Sequence, residues 1–195
     1  ETNQYELSAN FDTTYYRWDD MLPVVTTSSP QAAKDAVSTL LYQVGVALNM
    51  DYDESSGAYS SDIAPALINY FGYDKGVTRR SRDYYTTADW DSLVRFELDN
   101  ARPVVYDGAT GGGLLGASGH SFVCDGYNSD GYFHINWGWS GTSNGYFLLS
   151  ALDPDAQGTG GASAGSGGFN YNQDFVGGIQ KPVEGSKPSY QIVSD

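Results

Sequence analysis

The pattern of apolar positions divides the chain into a helical first part and a second part made of short strands. Apolar residues recur at helical spacing over 28–48, where Ser29 is the predicted N-cap, Pro30 the first helical residue and Gly45 the residue that loosens or ends the helix. Further helices are predicted over 61–73, capped by Ser61 or Asp62 and ended by Gly72, and over 87–101. The predicted inward-facing side chains are Ala33, Val37, Leu40, Leu41 and Val44 of the first helix and Trp90, Leu93, Val94 and Leu98 of the third.

After residue 101 the pattern changes to short β-prone runs separated by Gly, Asn, Asp and Ser. These runs cover 102–109, 120–127, 131–138 and 145–152 and are typical of an antiparallel sheet. Because the helices come first and the strands second, the fold class is predicted to be α+β. The Gly-rich stretch 157–173 is predicted to be a flexible surface loop or, in a functional interpretation, a loop beside a cleft.

Composition and charge narrow the class of protein. A chain of 195 residues with 40 % hydrophobic residues, 16 tyrosines and 24 glycines suits a compact, turn-rich domain with a substantial core. A net charge of −14 argues against nucleic acid and anionic membranes as partners and suits a protein that is secreted, periplasmic or on the cell surface. With one cysteine and two histidines we expect no internal disulfide, no metal site and no cofactor.

A histidine and an asparagine lie on two of the predicted strands, which are joined by a turn at 128–131. Antiparallel pairing around that turn places His120 near Trp139 and Asn136 near Val123. A side-chain amide can accept a hydrogen bond from one ring nitrogen and leave the other free as a base, which is the arrangement of a cysteine-peptidase pair.

The same residues also suit structural or sugar-binding roles. Trp137 could shield the bond between His120 and Asn136 from water, or it could pack in the core. The histidine could be structural, the asparagine could serve a turn, and Trp137 with Trp139 could form a sugar-stacking surface.

The chain contains no convincing nucleophile for this histidine. Cys124 follows His120 by four residues on the same predicted strand, so the two lie roughly 13 Å apart, well beyond hydrogen-bond reach. Its apolar neighbours indicate a small core residue whose thiol pKa is raised. Ser118 stands two residues from His120 without a third group, and no Gly-x-Ser-x-Gly elbow leads from a predicted strand into a predicted helix.

Longer motifs add a family resemblance. "GHSFVCDGY", "YFHINWGWSGTSNGYFLL" and, upstream, "YYRWDDMLP" and "ALINYFGYDKGV" resemble the streptopain-like family of secreted bacterial cysteine peptidases, which have a papain-like fold. The resemblance extends from about Tyr15 to Pro182. It implies an α+β fold that is mainly the histidine-bearing, antiparallel-sheet half with about three helices. Residues 1–182 are then the C-terminal portion of the catalytic domain, and 183–195 a linker or tail toward a further domain.

The resemblance also implies roles for individual residues. His120 is the catalytic histidine, Asn136 orients it and Trp137 covers their contact. Trp139 lines the cleft, and Gly119 and Ser118 join it in substrate binding, with a flexible loop around 158–168 beside them.

One departure from the family pattern is large. The family's cysteine stretch, of the kind Gly-Cys-x-Ala-Thr-Ala, does not occur in this sequence. We therefore expect the nucleophile and the oxyanion-hole glutamine on an N-terminal cysteine-bearing fragment of the same precursor, with proteins or peptides as substrates. Two alternatives remain: a catalytically dead relative that acts as an inhibitor or adaptor, and an aromatic-rich, secreted glycan- or peptide-binding module.

Overall fold

A computed structural model of the chain describes residues 6–53, 56–111, 118–155 and 168–187. It divides into two compact units, Glu1–Phe71 and Gly72–Asp195. Helices α1 (Gln31–Ala47) and α2 (Ile63–Tyr70) belong to the first unit, and α3 (Thr87–Asp99) and a six-stranded sheet belong to the second. Helices α1 and α2 precede every strand, α3 follows the first strand, and the predicted α+β class is confirmed.

Helix α1 buries a different set of side chains from the one its spacing predicts. Of the five predicted inward residues only Ala33 is buried, while Leu41 remains 64 % exposed. Small residues such as Ala36 and Ala47 occupy the buried positions instead. Helical spacing locates an apolar stripe, but it does not show whether another segment covers that stripe.

Both predicted ends of α1 also differ from the structure. The helix begins at Gln31 with no side-chain cap, because Ser29 Oγ accepts a hydrogen bond from Thr26 N at 2.9 Å instead. Gly45 lies inside the helix, where the Tyr52 ring occupies the space that a Cβ would need. Close packing, rather than helix termination, accounts for this glycine.

The sheet has the strand order β1-β6-β2-β3-β4-β5, and every neighbouring pair is antiparallel. Four strands match the predicted runs, whereas β1 and β6 were not predicted. β6 starts inside the stretch predicted to be a loop. A loop was predicted there because the first residues of β6 are polar and follow a glycine-rich segment. The strands are β1 (Thr78–Ser81), β2 (Val104–Ala109), β3 (Gly119–Tyr127), β4 (Phe133–Asn136), β5 (Gly145–Phe147) and β6 (Tyr171–Gly177).

Helix α3 packs on one face of this sheet and forms the core with it. Thr86 caps the helix by accepting a hydrogen bond from Asp89 N, and Trp90 and Val94 are fully buried as predicted. Trp90 Nε1 donates to the Tyr106 hydroxyl at 2.8 Å, which satisfies both polar groups inside the core. Because side chains alternate along a strand, every second residue of β2, of β4 and of β3 as far as Cys124 faces α3, and the intervening ones face away. A register shift between Cys124 and Gly126 changes this alternation at the end of β3, where Tyr127 contacts α3.

The described helices include none that is both long and apolar enough to cross a bilayer.

Near the C-terminal end of the described residues, Val183 N donates a hydrogen bond to Asp74 Oδ2 at 2.7 Å, which holds the start of the predicted tail against the rest of the second unit. Residues 188–195 lie outside the described part, so the role predicted for 183–195 stays a prediction.

Candidate active site

His120 is the second residue of β3 and lies among aromatic rings on the core-facing side of the sheet. Its half-buried imidazole stacks on Trp139 with ring centroids 4.9 Å apart, which agrees with the position predicted from the hairpin. Phe169 at 5.4 Å and Phe122 at 5.9 Å contact other parts of the ring. These contacts restrict rotation of the imidazole and hold it in one orientation.

A main-chain oxygen fixes the protonation pattern of this imidazole. His120 Nε2 lies 2.8 Å from the Trp137 carbonyl oxygen. A carbonyl only accepts hydrogen bonds, so Nε2 must carry the hydrogen in both the neutral and the charged ring. In the neutral ring the lone pair is therefore on Nδ1, which is the nitrogen left to act as a base.

Asn136 lies beside Val123 as predicted, but it does not form the predicted hydrogen bond to His120. Val123 and Asn136 are directly paired across β3 and β4, so their side chains share the face that points away from the core. His120 is on the other face. Asn136 Oδ1 instead accepts a hydrogen bond from Gly138 N at 3.0 Å and so stabilises the turn after β4.

The main-chain carbonyl of Trp137 accepts the hydrogen bond from His120 that was predicted for the side-chain amide of Asn136. The indole is fully buried, and Nε1 donates to Ser143 O at 3.0 Å. The main-chain nitrogen of Trp137 donates to Asn144 Oδ1 at 3.0 Å. Its ring lies nearly parallel to the imidazole, with centroids 6.4 Å apart. Anchored at both nitrogens, Trp137 presents its oxygen to His120 from a fixed position.

The predicted substrate-binding residues lie around His120 at the exposed end of the β2–β3 hairpin. Gly119 pairs with Ala109, and Ser118 is exposed and bonds through its main chain to Thr110. Trp139 is 39 % exposed, so one part of its ring packs on the histidine and another part meets solvent. Most of the loop predicted at 158–168 lies outside the described residues.

Gly108 and Phe169 belong to the site, and the sequence analysis missed both. Gly108 is the direct partner of His120 across β2 and β3. A Cβ at Gly108 would overlap the Phe169 carbonyl oxygen, so only glycine lets this backbone lie against the sheet and place the Phe169 ring on His120. The sequence did contain one signal for Gly108, namely a glycine opposite a histidine in a strand whose other residues have side chains.

The single cysteine is a core residue, as predicted. Cys124 is completely buried, and burial raises the pKa of its thiol to about 12. A buried, protonated thiol is a poor nucleophile.

The second histidine lies on the opposite face of the sheet. His134 Nδ1 is 2.5 Å from Asp125 Oδ1, and the edge of its ring meets Tyr146. The part of the chain that the structure describes contains no group of three His, Cys, Asp or Glu side chains placed to hold a metal ion.

Comparison with known sequences gives matches over most of the chain. The profile of the Peptidase C10 family matches residues 1–147. Streptopain of Streptococcus pyogenes serotype M28 is 42 % identical over 175 residues, which are 89 % of this chain and 42 % of streptopain. The thiol protease/hemagglutinin PrtT of Porphyromonas gingivalis is 40 % identical over 182 residues, which are 92 % of this chain and 20 % of PrtT. The chain thus spans less than half the length of these curated relatives.

Solved structures agree with the sequence matches. The active wild-type interpain A cysteine protease of Prevotella intermedia superposes with a TM-score of 0.75 at 35 % identity and covers 84 % of this chain and 64 % of its own. A fragment of prointerpain A from the same organism gives a TM-score of 0.69 at 34 % identity and covers 88 % and 50 %. The predicted papain-like architecture is confirmed by these superpositions.

Proposed function

Because the chain belongs to the peptidase C10 family, we propose that it supplies the catalytic histidine of a cysteine endopeptidase whose nucleophilic cysteine lies on a separate segment of polypeptide. The orientation of His120 carries this proposal: Nε2 bonds to a carbonyl, and Nδ1 is left as the base. The described part of the chain offers no thiol for that base, since its cysteine is sealed in the core.

In the proposed reaction, Nδ1 of His120 takes the proton from the thiol of the incoming cysteine. The resulting thiolate attacks a peptide carbonyl, and the protonated imidazole then gives its proton to the departing amine. Water next releases the acyl group from the sulfur, with the same nitrogen as the base. Throughout this cycle the Trp137 carbonyl stays bonded to Nε2 and stabilises the imidazolium.

The surroundings of His120 suit an extended polypeptide substrate. The exposed part of Trp139 and the main chain at Ser118 and Gly119 lie next to the imidazole, where they can contact the residues that flank a scissile bond. Relatives named cysteine protease and thiol protease support this class of substrate. The net charge of −14 suits a secreted enzyme, and we include secretion in the proposal.

The first unit supports the proposal that an N-terminal cysteine-bearing fragment of the same precursor binds the chain. A surface on which many large apolar side chains are exposed is typical of a site that another polypeptide covers. In the first unit, residues with more than half of their surface exposed include Tyr15, Trp18, Val24, Leu41 and Tyr59. Streptopain, which is more than twice as long as the matched region, provides further support.

Reconstitution tests the proposed function. The chain is mixed with the cysteine-bearing fragment, and hydrolysis of a peptide substrate is followed in the presence of a reductant. We expect the mixture to hydrolyse the peptide, each component by itself to be inactive, and iodoacetamide to inhibit the mixture. Replacing the native chain by the Cys124→Ala variant should leave full activity, because the buried thiol takes no part in the reaction. A mixture without hydrolysis would favour a catalytically dead relative. Alkylation of Cys124 that parallels the loss of activity would refute the two-segment mechanism.

We expect Asn136→Ala to reduce kcat by less than about tenfold, because its amide oxygen bonds Gly138 N rather than the imidazole. Asn144→Ala is the matched variant: it removes the acceptor of the Trp137 main-chain nitrogen, and we expect it to lower kcat more. Steady-state kinetics of the reconstituted enzyme gives both values. If Asn136→Ala abolishes activity while Asn144→Ala has no effect, the amide is the acceptor in the assembled enzyme.

A further inference from the structure

Two buried carboxyl groups lie side by side on the face of the sheet that points away from α3. Register places Asp107 of β2 directly opposite Asp174 of β6, and also opposite Ser121 of β3. The two aspartates are only 8 % and 3 % exposed. The mechanism proposed for His120 uses neither of them, although Ser121 is the next residue along β3.

The Arg79 side chain supplies positive charge to this pair of carboxyl groups. The Arg79 guanidinium on β1 pairs with Asp174 Oδ2. The Ser121 hydroxyl, which is uncharged, donates to Asp107 Oδ1. A second negative charge in contact with the first, away from water, is strongly unfavourable unless a proton neutralises one of the two groups.

We propose that Asp107 and Asp174 share one proton below neutral pH, and that loss of this proton as the pH rises weakens the sheet that presents His120. Burial, together with repulsion by Asp174 and a hydrogen bond to it, raises the pKa of Asp107 to about 7. Ser121 and Arg79 act in the opposite direction and only partly offset the increase. The groups that act on the Asp107 carboxyl are Asp174 and Ser121 on the two neighbouring strands, β6 and β3, and Arg79 on β1, which pairs with β6.

The sign of the pH effect follows from the two states of Asp107. An aspartate in an unfolded chain loses its proton near pH 4, whereas Asp107 in the folded chain keeps it to about pH 7. Between these values the folded state binds more protons than the unfolded state, so stability falls as the pH rises. The equilibrium constant for unfolding then increases by up to about tenfold per pH unit and becomes constant above neutrality.

Asp107→Asn tests this proposal, because an amide keeps the shape of the protonated carboxyl and cannot ionise. Urea unfolding of the full chain is measured from pH 5 to 8 for the native chain and two variants. We expect the native unfolding constant, relative to that of Asp107→Asn, to rise at least about tenfold over this range. The control Asp130→Asn, which removes an exposed carboxyl from the turn after β3, should follow the native pH dependence. A ratio that does not change with pH would overturn the proposal.

Infrared spectroscopy provides a second test that does not depend on a folded variant. The native chain should show a protonated-carboxyl carbonyl band at pH 6 that disappears by pH 9, and a spectrum without this band would also overturn the proposal. Both readouts are independent of peptidase activity, so they stand whether or not the chain forms an active enzyme.

Discussion

Replacing His120 by alanine is expected to lower kcat/KM of the reconstituted peptidase at least about 10³-fold. In the proposed mechanism the imidazole is the base that activates the thiol and the acid that protonates the leaving amine, so both chemical steps would lose their proton carrier. Binding of a peptide substrate should change little, because Trp139 and the main chain around residue 119 remain. Steady-state kinetics, together with an inhibition constant for an unreactive peptide, separates the two effects.

The second histidine provides a matched control. His134 pairs with Asp125 on the opposite face of the same two strands, so His134→Ala removes the same side chain at a comparable exposure. We expect its kcat/KM to stay within about threefold of the native value, since surface substitutions away from special features change little. Equal losses in the two variants would indicate that the sheet, and not the chemistry of His120, had been damaged.

Replacing Gly108 by alanine is expected to destabilise the second unit by about 2–3 kcal/mol, which is the upper part of the range for overpacking a well-filled site. The added methyl group would overlap the main-chain oxygen of Phe169 and approach its Cβ to 3.0 Å. Backbone atoms cannot rotate away as a flexible side chain can. The segment at 168–170 must therefore move, and the Phe169 ring leaves His120 as it does so.

Gly126→Ala is the control for Gly108→Ala. Gly126 lies on the same sheet, but an added Cβ would meet only His134 Cβ, at an ordinary 3.8 Å. Chemical denaturation should therefore show a loss of less than about 1 kcal/mol for Gly126→Ala. If both variants unfold at the same denaturant concentration as the native chain, the close approach of Phe169 does not require glycine at position 108.

The sequence contained most of the information that places His120. Alternating apolar residues and the Asn, Asp and Gly of the turn predict the β3–β4 hairpin, and with it the neighbours Trp139 and Val123. Asn136 was wrongly predicted as the hydrogen-bond acceptor because the two strands were paired without asking which face of the sheet each side chain occupies. An asparagine opposite an exposed valine must share that valine's face, so this correction was available from the register alone.

Other parts of the fold were not accessible in this way. β6 has few apolar residues at its start, and its place between β1 and β2 depends on pairing with strands distant in sequence. The mutual contact of Asp107 and Asp174 depends on the same long-range pairing, and nothing local to either residue indicates it. For α1, spacing predicted the burial of Ala33 correctly, but the exposure of Leu41 depends on which segments surround the helix.

The acceptor for His120 has an evolutionary and practical consequence. An oxygen that belongs to the peptide bond between Trp137 and Gly138 is encoded by no particular codon, so ordinary mutagenesis cannot delete it. Inventories of active sites that compare side chains alone will therefore overlook it. Synthetic chemistry offers a way to probe it, since an ester in place of that amide would leave every side chain intact and weaken the acceptor, although it would also remove the Gly138 N–H that donates to Asn136.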